Sequence, residues 1–382
     1  MGTIVRSAVS PLAAAFYGHR GAFTAPTTEN KGVHLRFVEN LIFIALLVCG
    51  FLLLAQQTNA ADFFTFAVPG STCSASFTVC TTAVAISPDG SVTGSYADAN
   101  RGLHSYLLTS NGTISTFDPP GTACPTTSTS VATCSSPSGI NAAGTISGIY
   151  CDTGSCHGFL RASDGTFSTF DSPGSKSTIT VSAPNPSGAV TGSYTDANGI
   201  IHGFLRAGDG TLSTFDPPGA IITNPTSIDP GGTIAGNYIA ITGTHGFLRA
   251  SNGATTTFDA PGSIGTFPTD INSTGVITGF YTSAGHNFGF LRTPDGMFAT
   301  FAATASTFQT LPAAISSAGV ITGSYTTGDI FHGFVRGVDG GITTFDTPGS
   351  ISTSPQGINP SGTITGSYTA SNTLEYAFIR TP

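Results

Sequence analysis

Apolar and small polar residues alternate along most of this chain in runs of four to eight, and each run ends at a turn signal. That two-residue period predicts half-buried β-strands. In one repeat the strands are expected at Thr226 to Ile228, Thr233 to Tyr238, His245 to Ala250 and Ala254 to Asp259. A four-residue turn that begins with Asn, Asp or Ser and ends with Gly separates the first two, as in Asn141 to Gly144, Asn185 to Gly188 and Asn359 to Gly362. The leading side chain caps the turn and the glycine accepts positive φ. An Asp-Gly or Asn-Gly dipeptide separates the last two strands, as in Asp164-Gly165, Asp209-Gly210 and Asn252-Gly253. It suits a tight hairpin. Treated as a two-residue turn, Asp209-Gly210 sets Phe204 opposite Phe215 and Gly203 opposite Asp216. The paired rings are then expected in the core between repeats.

The repeat centres on His202-Gly203-Phe204-Leu205-Arg206, with equivalents of the histidine at His104, His157, His245, Phe288, His332 and Tyr376. Successive steps of 53, 45, 43, 43, 44 and 44 residues suit a propeller blade of four strands and are too long for the rungs of a β-helix. The fold expected is all-β: a seven-bladed β-propeller of four-stranded blades. The chain opens on an orphan fourth strand, Phe64 to Val68, and closes on an orphan third strand, Tyr376 to Arg380. Closure by pairing the N-terminal strand with the C-terminal blade completes one blade.

Fourteen residues beyond the histidine stands an aspartate, giving His104 with Asp118, His157 with Asp171, His202 with Asp216, His245 with Asp259, and His332 with Asp346. Units without the histidine also lack the aspartate: Phe288 goes with Ala302 and, under ring closure, Tyr376 with Ala67. A lone His and Asp invite a general-base role. Five pairs spread around a ring cannot converge on one substrate, so they are expected to be structural ties between third and fourth strands. The recurrent arginines, Arg161, Arg206, Arg249, Arg292, Arg336 and Arg380, are expected as strand-end caps or partners of nearby aspartates.

Composition narrows the partners. The chain has 28 Phe and 10 Tyr to bury, only 8% charged residues, and a formal charge of −8. Such a chain folds rather than staying disordered. With so few cations it is not expected to bind nucleic acid or anionic membrane. Lys31 and Arg36 precede an apolar run from Leu41 to Ala55 and small residues at Asn59-Ala60-Ala61. This reads as a signal peptide over 31–61, too short for a comfortable membrane span. Residues 1–30 form an extension of uncertain status, explained by a start assigned too early. The mature domain is 62–382, exported to the periplasm or medium and expected to be monomeric.

Six cysteines follow the leader, and their clustering pairs Cys73 with Cys80, Cys124 with Cys134 and Cys151 with Cys156. Their spacings do not fit the Cys-x-x-Cys pairs of zinc sites. No cofactor, metal ligand set or catalytic motif is expected. All six cysteines map to the face that carries the longer connections, where binding loops usually sit. Residues breaking the repeat are few: Asp152, Lys176, His286 and Glu375.

The runs Ile140-Asn141-Ala142-Ala143-Gly144-Thr145-Ile146-Ser147-Gly148 and His157-Gly158-Phe159-Leu160-Arg161 resemble the bacterial extracellular repeats named HAF for their His-Ala-Phe signature. Here Gly follows most of the histidines, Ser105 follows His104, and Ala377 keeps the family's alanine. The resemblance implies export and a repeat-built β architecture, with no settled activity. Two functions stay open: a non-enzymatic protein that binds a glycan, peptide or envelope component, and a secreted polysaccharide hydrolase or lyase.

Overall fold

The computed structural model describes residues 61–73, 78–124, 132–305 and 308–382. The N-terminal extension and the expected leader, apart from Ala61, lie outside the described residues. The compact unit spans Ala61–Pro382 and is built of antiparallel four-stranded units, each paired in chain order from its first strand to its fourth. The first unit is Thr81–Ile86, Val92–Ala97, Gly102–Leu108 and Ile114–Phe117, and the second Ser135–Ile140, Ile146–Cys151, Cys156–Arg161 and Phe167–Phe170. The third is Ser175–Val181, Val190–Asp196, Ile201–Arg206 and Leu212–Phe215; the fourth is Ile222–Ile228, Ile234–Ala240, Gly243–Arg249 and Thr255–Phe258. The fifth is Gly265–Ile271, Ile277–Ser283, His286–Arg292 and Phe298–Phe301; the sixth is Thr310–Ile315, Ile321–Thr327, Ile330–Arg336 and Ile342–Phe345.

A composite unit joins the two chain ends. Ser350–Ile358, Ile364–Ala370 and Glu375–Arg380 take the N-terminal strand Phe63–Phe66 as their fourth, with Phe66 opposite Ala377 and Phe63 opposite Arg380.

The first strand of most units carries a bulge, as between Pro225 and Ser227 or Pro268 and Asp270. Proline has no N–H to give a ladder, and a bulge is where a strand tolerates it. Opposite Pro225 the second strand has Gly236, where a Cβ would come within 2.4 Å of the Asn224 carbonyl and 2.9 Å of the Phe247 ring. The recurrent second-strand glycine is therefore required by close approach.

The third-to-fourth hairpin corrects the expected register by one residue. Ala207 N–H donates to Thr211 O and Gly210 N–H to Ala207 O, with Gly210 at φ 92°. This is a three-residue loop with a bulge. Phe204 consequently faces Thr214, and Phe215 faces Gly203. The rings do not pair within a unit. Instead most fourth-strand rings pack on the third-strand ring of the next unit: Phe170 on Phe204 at 5.9 Å, Phe215 on Phe247 at 6.0 Å, and Phe301 on Phe334 at 6.0 Å. Phe159, Phe204, Phe247, Phe290, Phe334 and Phe378 are fully buried, each contributing roughly 1.5–3 kcal/mol.

The arginines do more than cap their strand ends, where Arg336 Nη1 donates 3.3 Å to Gly337 O. Their guanidinium carbons lie over the fourth-strand ring of the preceding unit: Arg249 over Phe215 at 4.9 Å and Arg292 over Phe258 at 4.7 Å. They act between units as cation–π lids. Burial against those rings lowers their pKa.

Capping asparagines add a second inter-unit tie. Asn185 Oδ1 accepts from Ser187 and Ala189 N–H, while its Nδ2 donates 3.1 Å to Asp229 O in the next unit. Asn141 reaches Asn185 O, Asn272 reaches Ser316 O, and Asn359 reaches Ser87 O.

Candidate functional site

At one level of the first two strands each unit presents a cross-strand pair on one face. The pairs are Thr82–Ser95, Ser136–Ile149, Thr180–Ser193, Asn224–Asn237, Phe267–Phe280, Leu311–Ser324 and Ser354–Ser367. Three pairs are Ser or Thr on both strands, and in two more Ile149 or Leu311 replaces one member. The fourth unit substitutes two amides, and the fifth substitutes two rings that stack at 4.8 Å and 12°. Equivalent positions of adjacent units are neighbours, since Ser95 Oγ lies 3.5 Å from Ser136 Oγ across a unit boundary. Asn237 and Phe267 occupy the equivalent register positions. Asn224 and Asn237 line a cavity of about 340 Å³ with Thr180, Ser182, Pro225 and Thr226.

One level further along the first strand, the small residues Ala85, Gly139, Ala314 and Gly357 recur. The fifth unit places Asp270 there. Its Oδ1 accepts from Ser227 Oγ at 2.7 Å and Ile271 N–H at 2.9 Å, and its Oδ2 from Ile315 N–H at 3.0 Å. Burial raises its carboxyl above the usual range, against these hydrogen bonds. Asp270 thus ties three consecutive units together. Sequence reading missed it, as it missed Asn224, Asn237, Phe267 and Phe280. The signal was present in the aligned repeats, but only the bulged register brings the partners opposite one another.

The His–Asp pairs sit at the other end of the third strand. His202 Nδ1 lies 2.7 Å from Asp216 Oδ2, His104 Nδ1 2.7 Å from Asp118, and His157 Nδ1 2.8 Å from Asp171. His245 with Asp259 and His332 with Asp346 span 2.9–3.0 Å. The far nitrogen has a polar neighbour in each pair. Nε2 meets Thr242 Oγ1 at 2.8 Å in His245 and Thr327 Oγ1 at 2.7 Å in His332; in His104, His157 and His202 it faces Asp98, Asp152 and Asp196. Each imidazole also stacks on a second-strand tyrosine, such as Tyr194 at 5.5 Å. His157 Nε2 also lies 3.2 Å from Ser155 Oγ, whereas the Asp98 and Asp196 carboxylates stand 3.6 and 3.7 Å from the Nε2 of His104 and His202, beyond hydrogen-bond reach. Asp216 and Asp118 extend the tie to the next unit through Thr223 and Ser135. For His104 the Asp118 bond, opposed by burial, raises the pKa.

Disulfides join Cys73 to Cys80, Cys124 to Cys134 and Cys151 to Cys156. The sulfurs of Cys124 and Cys134 lie within 4.8 Å of a His104 nitrogen. Bonded to each other, they are not thiolates and do not form a metal-ligand set. The repeat-breaking residues noted in the sequence do not gather. Asp152 caps its own loop in the second unit through Gly154 and Ser155 N–H. Lys176 is exposed in the third unit, and His286 stacks on Phe308 at 4.7 Å in the fifth. Glu375 lies in the composite unit, its carboxyl raised by burial against a hydrogen bond from Ser367.

The architecture and wall define an all-β protein of propeller-like fold. No protein-family model matches the chain, and no curated protein matches it. Among solved structures it is similar to a catalytically inactive virginiamycin B lyase from Staphylococcus aureus with quinupristin, at 13% identity and TM-score 0.57, covering 85% of this chain and all of that one. It is also similar to the β-propeller domain of the trilobed protease from Pyrococcus furiosus, at 8% identity and TM-score 0.58, covering 78% and 94%. Puromycin hydrolase matches at 11% identity and TM-score 0.53, covering 76% of this chain and 50% of that one. At these identities the likeness is one of fold. Among the described residues no helix is long and apolar enough to cross a membrane.

Proposed function

We propose that the chain is an exported, non-enzymatic binding protein of the HAF repeat type, built as a seven-bladed propeller closed between its termini. Closure is supported by the Phe63–Phe66 strand seated on Glu375–Arg380 and by Asn359 reaching Ser87. Export is supported by the three disulfides and by the leader-like sequence over 31–61. The first strands would then line an axial channel, with the amide and aromatic pairs side by side on its wall.

The observation that carries a binding role is the chemistry of these departures. At the level where both members of a cross-strand pair change in adjacent units, the change yields amides and rings rather than an acid, a base and a nucleophile. A polysaccharide hydrolase or lyase is the second reading. It rests on Asp270 and Glu375, whose carboxyls burial raises, yet they stand in different units and Asp270 is committed to three protein donors. Incubation with a polysaccharide panel, scoring both retention of the protein and release of new sugar ends, separates the two. Retention without release is expected. Release abolished by Asp270→Asn or Glu375→Gln would overturn the binding reading.

A further inference from the structure

The repeat supplies its own control for what the channel wall does. A position that serves only packing should take similar residues in every unit, because each unit meets the same neighbours. Second-strand Ser95, Ser193, Ser324 and Ser367 obey this, and Ile149 departs from it alone, its first-strand partner staying Ser136. Asn237 and Phe280 break it in adjacent units, and their first-strand partners break with them, as Asn224 and Phe267. All four side chains are half-buried rather than sealed in the core. Neither Asn224 nor Asn237 makes a side-chain hydrogen bond to the described protein, whereas the turn asparagines use both ends of their amides. The amides line a cavity of about 340 Å³, large enough for a sugar residue, and the rings of the next unit stack at 4.8 Å at the equivalent register positions.

Resting on the binding-protein reading, we propose that Asn224, Asn237, Phe267 and Phe280 form the seat of a neutral oligosaccharide on the channel wall. A primary amide offers two donors and an acceptor, which matches a hydroxyl pair that both gives and takes a proton. A phenyl face accepts the C–H-bearing face of a pyranose, combining apolar contact with attraction of the partly positive hydrogens to the ring. None of the wall pairs carries a charge. A neutral ligand therefore leaves no buried ion unpaired. The chain's −8 formal charge disfavours phosphorylated or uronic ligands.

The test is calorimetric titration of the secreted protein with cellohexaose, laminarihexaose and chitohexaose at millimolar concentration, alongside Phe280→Ser and Asn237→Ser. Both variants install the residue that other units carry at this position, so the fold is expected to survive. At least one hexaose should bind, and each variant should weaken it at least about tenfold with an unchanged melting temperature. Should Phe280→Ser unfold, Asn237→Ser decides alone. Undiminished binding in folded variants would overturn this seat while leaving a binding protein. Absence of binding to every hexaose would overturn the sugar assignment. Cleavage of a bound hexaose by wild type, with binding lost in the variants, would keep the seat and overturn the non-enzymatic reading.

Discussion

Asn359 Nδ2 donates 3.3 Å to the carbonyl of Ser87, a residue 272 positions earlier in the chain. Asn185 makes the same bond to Asp229 O at 3.1 Å, only 44 residues along. Local and terminal versions of one contact are thus alike in geometry. In a closed ring they should be alike in energy. Asn359→Asp and Asn185→Asp each remove the Nδ2 donor but keep the Oδ1 acceptor, and each is expected to cost about 1–3 kcal/mol in urea unfolding. A negligible cost at Asn359 beside a full cost at Asn185 would mean an open ring.

Removal of residues 62–70 tests the same joint from the other side. It strips the strand Phe63–Phe66 from Glu375–Arg380 and takes away buried Val68. Several kcal/mol of apolar burial go with it, and a fall in melting temperature on the order of 10 °C is expected. An unchanged melt by circular dichroism would sink closure.

Gly158 lies beneath the ring of Phe170, where a Cβ would come within 2.3 Å of Cζ. That ring also packs on Phe204 of the next unit, so it has little room to withdraw. Gly158→Ala is expected to destabilise by about 1–3 kcal/mol through overpacking. Gly158→Ala combined with Phe170→Leu should recover part of that loss, and strictly additive costs in the two-mutation cycle would contradict a contact between them.

The strands, the unit boundaries and the ties between chain ends were legible because alternation and turn residues are local properties that repeat with a fixed step. The partners within a hairpin were not. Asp209-Gly210 resembles a two-residue turn, and only the Ala207 bonds reveal the bulged loop that moves Phe215 opposite Gly203. Contacts between units were further out of reach: nothing local to Arg249 announces that it will cover Phe215. The wall followed suit, since Asn224 and Asn237 become a pair only through the shift between Pro225 and Ser227.

Glu375 gives a prediction whose sign depends on its raised carboxyl. Burial favours the protonated acid in the folded state, outweighing the bond from Ser367. The folded protein therefore holds this proton more tightly than the unfolded chain does. Its contribution is present at low pH and is lost as pH rises past the unfolded value of about 4.3. Glu375→Gln should then be more stable than wild type at neutral pH, with the advantage disappearing near about pH 4. A variant less stable at neutral pH would show that the ionised carboxylate is the form the fold prefers.

His104 carries the same sign of linkage from a different cause. Its hydrogen bond with Asp118, the largest influence, raises its pKa above that of the free side chain, and burial opposes it. A histidine with a raised folded pKa adds stability that is complete below the unfolded value of about 6.5 and fades as pH climbs through the folded value. His104→Gln removes the titrating group and leaves a side chain that can still donate to Asp118. Its cost in urea unfolding should therefore be larger near about pH 6 than near about pH 8, an interval in which ordinary carboxylates do not titrate. The neighbouring Cys124–Cys134 disulfide stays intact throughout, so redox change does not enter the comparison. Equal costs at both pH values would mean that the pair is held as a neutral imidazole bonded to aspartate, and that its proton is no more tightly bound than in the unfolded chain.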